Sequence, residues 1–455
     1  MVQPDGQIFS AYIDPNRLRV FHSASAQLAL TAALVLTSSY MPHGTRNTVS
    51  PSTSSAIETS FGFHIPDSRD TAWAELYVPP NVREVRAAVV FIDRELDRYA
   101  YDDRDWRAMC RRAQCALVRV GFPRQDGVPP QRQRVRNAAL GGDSIVAAAL
   151  QLGAERTAHP ELRDARLILF GFSAAGSFGP TFAALHPDRT IGFIRYHSNL
   201  RGLAVDTAAL VSIPALTVAG ARDEIAGSED SRALWRALRA RGAPWAYVDH
   251  FAQPHLSIDG LVEAGPAMRD WTEALLDHRA PPSSSGAPRA DAGWLVDDSI
   301  GVVRATREIT RAPNTSWVPD ARTAFALRQL EGMCAQLPLT AATDMLGGGT
   351  KLDSEDTSVC HYVHDAPHRD LWASASSSPS DSAAMSLLRR TPGAIALAGL
   401  GDAAELMIDT KQRCGTIGAV RSSWVFYVTA CGDGFGTAGD SSRLRAISRR
   451  VLGEP

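Results

Sequence analysis

A serine flanked by small residues is the first candidate for chemistry in this chain. Four apolar residues at 167–170 lead directly into the sequence Gly-Phe-Ser-Ala-Ala at 171–175. The apolar run is typical of a buried parallel strand, and a helix-compatible segment follows it. A serine at such a sharp turn requires small residues two positions before and after it, and Gly171 and Ala175 meet that requirement. The pattern predicts Ser173 as a nucleophile; the alternative is a tight turn in which Ser173 only caps the next helix.

A carboxylate and an imidazole follow further along the chain, each just after a predicted strand. The carboxylate is Asp223, whose neighbour Glu224 is expected to point elsewhere if Asp223 faces inward. The imidazole is His255, which lies in a loop beyond its strand. His250 competes with it, but His250 adjoins the strand end, where a packed histidine is the more common outcome. We therefore favour Asp223 and His255 as the acid and the base.

The three residues occur in the order serine, aspartate, histidine, which is one of the orders used by serine hydrolases. Because the carboxyl ends of parallel strands converge on one edge of a sheet, residues 173, 223 and 255 are expected to meet there. His255 would accept the Ser173 proton, and Asp223 would hold the imidazole in the required tautomer. His197, directly after another predicted strand, is expected to have a structural polar role; the alternative is that it lines a pocket at this edge.

The elements that position these residues alternate between strands and helices. Phe61–Ile65 and Trp73–Val78 predict a hairpin, since their apolar residues alternate around a turn. Strands alternating with helices predict right-handed crossovers and an α/β fold with a mainly parallel sheet. The further predicted strands are 87–92, 116–120, 167–170, 191–196, 214–220 and 245–249, and the predicted helices are 106–114, 137–152, 232–241 and 257–276.

An oxyanion hole requires two backbone N–H groups directed at the developing negative oxygen. The N–H of Ala174 would supply one of them. The other is expected from the turn after strand 87–92, at Asp93 or Arg94. That turn is bulky and charged, which leaves open a protein on a hydrolase scaffold that does not catalyse.

Several further segments resemble bacterial α/β-hydrolases of the feruloyl-esterase and polyester-depolymerase type. They are His-Pro-Glu-Leu at 159–162, Gly-Ala-Pro-Trp at 242–245, Trp271, Gly-Trp-Leu at 293–295 and Trp-Val-Pro-Asp at 317–320. The resemblance covers about residues 58–320. It implies an α/β-hydrolase fold and a serine hydrolase with no metal and no organic cofactor. The turn at 93–95 departs from the His-Gly that many relatives carry there.

The composition changes near Arg328, which predicts a domain boundary. We expect an N-terminal extension at 1–57, a hydrolase domain at 58–328 and a small α+β domain at 329–455. In the last of these, residues 340–346 and 441–451 suit helices, and 358–363, 371–376 and 424–429 alternate as strands. A contact with a surface or a polymer is the role considered for this region.

Six cysteines are present, and none forms a Cys-x-x-Cys pair. Their even number is compatible with disulfide bonds in an oxidising compartment, and buried free thiols are the alternative. Cys360 is expected to pair with Cys334 or to remain a buried thiol. Cys360, His361, His364 and His368 suggest a metal site, but adjacent strand residues point to opposite faces, so we expect none.

The composition is that of a globular protein, with a formal net charge of −2. This balance gives no basis for nucleic-acid binding. Residues 17–39 combine two arginines with a short apolar core, the outline of a secretory signal that is too short for a convincing membrane span. We therefore expect a secreted or periplasmic protein without a membrane span; an amphipathic helix in a cytoplasmic protein is the alternative.

The residues favour a serine hydrolase that cleaves a small-molecule or polymeric carboxylic ester through an acyl-enzyme. The first alternative is a non-catalytic binding protein on a hydrolase scaffold. The second is an amidase or acyltransferase that uses the same three residues.

Overall fold

The computed structural model describes residues 55–65, 71–92, 96–121, 142–199, 206–278, 293–297, 301–304, 314–355, 358–377, 381–388, 394–421, 424–433, 435 and 441–453. All of these residues belong to one compact unit, Thr53–Pro455. The predicted signal segment lies outside the described residues.

An eight-stranded sheet forms the centre of the first part of the chain. Its order is β1-β2-β4-β3-β5-β6-β7-β8. Strands β3 to β8 are parallel, and the hairpin of β1 and β2 pairs antiparallel with β4. The strands are β1 Ile57–His64, β2 Thr71–Val78, β3 Ala87–Ile92, β4 Cys115–Gly121, β5 Arg166–Phe172, β6 Thr190–Tyr196, β7 Ala215–Gly220 and β8 Trp245–His250.

Helices cover both faces of this sheet. In β3, Ala87, Val89 and Phe91 pack into one apolar cluster, while the alternate residues 88, 90 and 92 pack into another. Because side chains alternate along a strand, each face needs its own layer of helices, and every residue of β3 is buried. The first layer contains α1 Asp97–Asp102, α2 Arg104–Ala113 and α6 Ile258–His278; the second contains α3 Gly142–Thr157, α4 Phe178–Leu185 and α5 Glu229–Ala240.

A small three-stranded sheet lies beside the β8 edge of the central sheet. Its strands are β9 Trp294–Asp297, β10 Gly301–Arg304 and β11 Ser316–Val318, in the order β10-β9-β11. The Ser316 hydroxyl accepts a hydrogen bond from the Tyr247 N–H at 2.9 Å and donates to the Tyr247 carbonyl at 2.7 Å. This side chain therefore satisfies backbone groups that an edge strand would otherwise leave unpaired.

A seven-stranded antiparallel sheet forms most of the C-terminal region, in the order β12-β13-β14-β18-β17-β16-β15. Its strands are β12 Lys351–Glu355, β13 Val359–His364, β14 Arg369–Ser377, β15 Ile395–Leu397, β16 Ala403–Asp409, β17 Cys414–Arg421 and β18 Trp424–Gly432. The accompanying helices are α7 Ala321–Leu330, α8 Met333–Gln336, α9 Leu339–Leu346, α10 Asp381–Leu388 and α11 Ser441–Val451.

Helix α7 is buried along most of its length. Residues 323–330 are all buried, as expected for a helix with neighbours on every side. Leu327 and Leu330 belong to an apolar cluster that also includes residues of the central sheet and of the C-terminal sheet. The expected boundary at residue 328 falls within this helix, and the division into two domains stays a prediction.

Three disulfide bonds are present, and they join Cys110 to Cys115, Cys334 to Cys360 and Cys414 to Cys431. The expected pairing of Cys334 with Cys360 is confirmed. Within the described ranges, no helix combines the length and apolar composition that a membrane crossing requires.

The predicted fold class is confirmed: a mainly parallel sheet between helices, followed by a separate antiparallel sheet with its own helices. The first residue predicted for the helix at 106–114 is wrong, because the helix begins at Arg104. Asp103 caps it by accepting hydrogen bonds from the N–H groups of Asp105 and Trp106. The sequence patterns do not predict seven of the observed strands, namely β9, β10, β11, β12, β15, β16 and β17.

Asp270 of α6 makes the stability of the fold pH-dependent. Burial raises the pKa of its carboxyl to about 6, although Arg322 Nη2 of α7 lies 2.8 Å from its Oδ1. Between pH 4 and 6 the native state therefore binds more protons than the unfolded state, so the free energy of unfolding falls as the pH rises.

We expect Asp270→Asn to remove this pH dependence. Between pH 4 and 7, wild type should lose up to about 2 kcal/mol more stability than the variant, since one unit of pKa shift corresponds to about 1.4 kcal/mol. Urea denaturation at both pH values measures the difference. Parallel pH profiles for the two proteins would contradict the prediction.

Candidate active site

The turn at Ser173 is as tight as the sequence predicts. Ser173 has a φ of +54° and begins a short 3-10 helix, Ser173–Ser177, directly after β5. A Cβ atom on Gly171 would lie 2.3 Å from the Ala175 carbonyl oxygen. A Cβ atom on Gly176 would lie 2.3 Å from the Ser198 Oγ atom. The turn therefore depends on both glycines, and it holds Ser173 in a conformation that is uncommon for residues with a side chain.

Backbone hydrogen bonds join the loops that carry Asp223 and His255. The Ala221 N–H donates to the His250 carbonyl at 2.9 Å, and the Arg222 N–H donates to the Gln253 carbonyl at 3.0 Å. A Cβ atom on Gly220 would lie 2.6 Å from the Gln253 carbonyl oxygen, so this close approach needs glycine. The two loops therefore hold each other in a fixed arrangement beyond the ends of β7 and β8.

His255 lies within hydrogen-bonding distance of both Ser173 and Asp223. His255 Nε2 is 2.8 Å from Ser173 Oγ. His255 Nδ1 is 2.8 Å from Asp223 Oδ2. The Asp223 side chain is 1% exposed and the His255 side chain 11%, so water competes little for these contacts. The structure thus brings together the three residues expected from the sequence.

The second carboxylate oxygen of Asp223 is also occupied. Asp223 Oδ1 accepts hydrogen bonds from the Ile225 N–H at 2.9 Å and the Ala226 N–H at 2.8 Å. These bonds fix the carboxylate, so that Oδ2 remains directed at the imidazole. An ionised Asp223 would then require a proton on His255 Nδ1, which leaves the Nε2 lone pair directed at Ser173.

The alternatives to the base and the acid, His250 and Glu224, take no part in these contacts. The His250 side chain is fully buried, and its Nε2 lies 3.3 Å from Glu263 Oε2 rather than near Ser173. Glu224 is exposed, as expected from its position next to the inward-facing Asp223.

His197 supports the loop that carries His255. Its Nδ1 lies 3.1 Å from the His255 carbonyl oxygen, to which only a protonated Nδ1 can donate. The His197 ring stacks on Tyr196 with centroids 4.0 Å apart, and its backbone has a φ of +44°. Burial lowers the pKa of His197 to about 4, so the ring is neutral at neutral pH.

The expected oxyanion donors are only partly described. Ala174 lies in the first turn of the 3-10 helix after Ser173, where backbone N–H groups have no partner within the helix. Its N–H is therefore suitably placed in the chain to donate to a group at Ser173. Asp93 and Arg94 lie outside the described residues.

In the C-terminal sheet, the His361 side chain contacts two aspartates. His361 lies between Asp353 and Asp370, with its Nδ1 2.9 Å from Asp353 Oδ2 and its Nε2 3.3 Å from Asp370 Oδ1. Cys360 is bonded to Cys334 instead. Among the residues that the structure describes, no group of three or more His, Cys, Asp or Glu side chains could hold a metal ion.

An alcohol, an imidazole and a buried carboxylate in this order are suited to nucleophilic acyl transfer. The imidazole can remove the alcohol proton, and the carboxylate stabilises the positive charge that then develops on the ring.

No family model matches the chain, and no curated protein sequence is significantly similar to it. A thermostable esterase of known structure is 16% identical, and the match covers 42% of this chain and 54% of the esterase, with a TM-score of 0.32. The chain therefore spans about half the length of that esterase.

Two further solved structures are similar over about half of this chain. S-formylglutathione hydrolase from Agrobacterium tumefaciens is 17% identical, and the match covers 49% of this chain and 95% of that enzyme, with a TM-score of 0.36. A poly(3-hydroxybutyrate) depolymerase from Bordetella parapertussis is 18% identical, with 50% of this chain and 92% of the depolymerase covered and a TM-score of 0.31.

Sequence identities and TM-scores this low do not show what activity the protein has. The fold is instead identified by its own features: parallel strands β3 to β8, an antiparallel hairpin at one edge, and a serine on the sharp turn after β5. The chain thus has an α/β-hydrolase fold.

Proposed function

We propose that the protein is a serine hydrolase that cleaves carboxylic esters through an acyl-enzyme. The observation that carries this proposal is the pair of 2.8 Å contacts from His255 to Ser173 and to Asp223. Such a chain of contacts activates a serine that would otherwise be a weak nucleophile at neutral pH.

In the first half of the reaction, Ser173 Oγ attacks the ester carbonyl carbon while its proton moves to His255 Nε2. The Ala174 N–H and a second backbone donor, proposed at Asp93 or Arg94, stabilise the negative oxygen. When the intermediate collapses, the ester C–O bond breaks and His255 returns the proton to the departing alkoxide. The alcohol leaves, and the acyl group remains on Ser173.

In the second half, water replaces the alcohol. His255 removes a proton from the water molecule, whose oxygen attacks the acyl carbonyl carbon. Collapse of this intermediate breaks the bond to Ser173 Oγ, which takes the proton back from His255. The acid is released and the enzyme returns to its starting state. Every protein group that these reaction steps need is a side chain or a backbone N–H. The proposal therefore includes no metal and no organic cofactor.

A fluorophosphonate probe tests the proposal directly. We expect a covalent adduct that peptide mapping assigns to Ser173, and hydrolysis of p-nitrophenyl acetate that the probe abolishes. A binding protein on the same scaffold would give neither result. Matched ester and amide substrates then separate an esterase from an amidase, because an amide requires protonation of a poorer leaving group.

We further propose that the protein acts outside the cytoplasm. Its three disulfide bonds are of the kind that persist in oxidising compartments. Disulfide mapping and fractionation of the cells that produce the protein would test this. Reduced cysteines together with a cytoplasmic location would contradict it.

We expect His197 to act as a positioning residue through the His255 carbonyl. In His197→Gly the donor is lost, and kcat for p-nitrophenyl acetate should fall up to about tenfold with KM unchanged, since one neutral hydrogen bond is worth up to about 1.5 kcal/mol and a tenfold change in rate corresponds to about 1.4 kcal/mol. His197→Asn keeps a donor near the Nδ1 position and also tolerates positive φ. This variant should retain kcat within about threefold.

The comparison between these two variants separates positioning from simple destabilisation. Thermal unfolding of both proteins gives the stability change, and steady-state kinetics gives kcat and KM separately. Equal losses of kcat in the two variants would contradict the positioning role.

A further inference from the structure

Half of the large exposed apolar side chains in the described part of the chain occur in segments that follow β3, β7 or β8. Ten large apolar residues are exposed among those that the structure describes, and five of them lie in these segments, after the carboxyl ends of the strands. Contiguous exposed apolar surface commonly marks a binding site. The five are Tyr99 (53% exposed), Ile225 (64%), Leu256 (58%), Ile258 (46%) and Val262 (65%).

Three of these five residues line a groove between α1, α2 and the first half of α6. The groove has a volume of about 510 Å³, which is within the usual range for small-molecule sites. Tyr99 lies on the α1 side, and Ile258, Leu261 and Val262 lie on the α6 side. The first turns of α6 therefore form an apolar wall, and this wall faces one in which Tyr99 lies among charged residues at positions 98–103.

The charged residues of the groove have partners within the protein. Arg98 Nε is 3.3 Å from Asp102 Oδ2. Arg269 Nη1 is 3.8 Å from Asp103 Oδ1. Arg269 also lies seven residues beyond Val262 on α6, or about 10 Å further along the helix axis. The groove therefore offers apolar surface close to the active site and no unpaired charge that would favour an ionic ligand.

The groove begins close to the reacting atoms. Ile258 follows His255 by three residues, so their Cα atoms can be at most about 11 Å apart. Ile225 is exposed two residues after Asp223, and Leu256 is exposed directly after His255. A chain attached to a carbonyl at Ser173 therefore has exposed apolar side chains beside the reacting groups, and the apolar start of α6 follows His255 by three residues.

We propose that this groove binds the long apolar chain of an ester substrate, held with its carbonyl at Ser173. The proposal rests on the proposed function, and it assigns the substrate class as esters with an extended aliphatic chain rather than acetyl esters. Ile258 and Val262 are the residues that determine this preference.

The test uses the double variant Ile258→Ser/Val262→Ser in the full-length protein. We expect wild type to prefer p-nitrophenyl octanoate over p-nitrophenyl acetate, and the ratio of the two kcat/KM values to fall about tenfold in the variant. The matched control is Ile395→Ser on β15, which changes another exposed isoleucine (58%) and should leave the ratio unchanged. A ratio that is unchanged in the double variant, or that falls equally in the control, would overturn the proposal.

Equilibrium binding separates this proposal from the proposed function. Calorimetric titration of Ser173→Ala with methyl octanoate should give a Kd about tenfold lower than titration of the same protein with the two groove substitutions added. This result would support the groove even if wild type hydrolysed no ester, in which case the proposed function alone fails. Equal Kd values for the two proteins would overturn the groove.

Discussion

Replacing Ser173 with alanine is expected to lower kcat/KM for p-nitrophenyl acetate at least about a thousandfold, as happens when nucleophiles of such triads are removed. The substitution deletes the one atom that forms the acyl bond, and it leaves His255 with no proton to accept from the protein. Alanine also removes little volume from the buried turn after β5, so the fold should be kept. Stopped assays with increasing enzyme concentration can measure the remaining rate.

A matched serine in the same part of the chain provides the control. Ser228 precedes α5 and makes no side-chain capping hydrogen bond, so Ser228→Ala should leave kcat/KM within about threefold. Circular dichroism should show that both variants keep the wild-type helix and strand content. If Ser173→Ala kept more than a tenth of the wild-type rate, another residue would be the nucleophile.

Replacing Asp223 with asparagine is expected to lower kcat roughly 10⁴-fold, the size found when an aspartate of such a triad is changed in this way. The amide oxygen can still accept from the Ile225 and Ala226 N–H groups, which places its NH₂ group toward His255 Nδ1. The ring then carries its proton on Nε2 instead, facing Ser173. The base is thereby lost even though the side chains keep their positions.

Glu224→Gln is the control for this substitution, because the neighbouring carboxylate is exposed and contacts neither Ser173 nor His255. It should leave kcat within about twofold. Nitrogen-15 NMR signals of the His255 ring in the two variants report the tautomer. An unchanged tautomer in Asp223→Asn, or an unchanged kcat, would show that Asp223 does not act through His255.

The central sheet was predictable from the sequence because its strands are buried on both faces. Such strands are continuous apolar runs, and β3 at Ala87–Ile92 has the bounds that the pattern predicts. The same argument placed Ser173, Asp223 and His255 at one edge, since each residue follows a strand of the parallel sheet.

The C-terminal sheet was harder to predict because several of its strands lack an apolar face. All five residues of β12 are exposed, and β15 has only three residues. In β17, Gly415 and Gly418 interrupt the alternation; a Cβ on either would come within 2.9 Å of a neighbouring leucine side chain. These glycines are needed for packing, but to a pattern analysis they indicate turns.

The contribution of His197 depends on tertiary contacts that no local pattern contains. A histidine directly after a buried strand was the available signal, and it indicated only a structural role. Its contact with the His255 carbonyl joins residues 58 positions apart in the chain. The exposed apolar residues of the groove could not be identified from the sequence for a similar reason. Tyr99 and Val262 lie outside the buried faces of their helices, and the sequence does not show which residues surround an exposed apolar side chain.

The loop that leads to His255 is attached at its start to helix α7. The Phe251 N–H donates to the Leu330 carbonyl at 2.7 Å, and a Cβ atom on Gly332 would lie 3.0 Å from the Phe251 ring. Melting of α7 would therefore release this loop. On heating, the protein should lose ester hydrolysis in the calorimetric transition in which α7 unfolds, so that thermal inactivation and the melting of this helix share one midpoint.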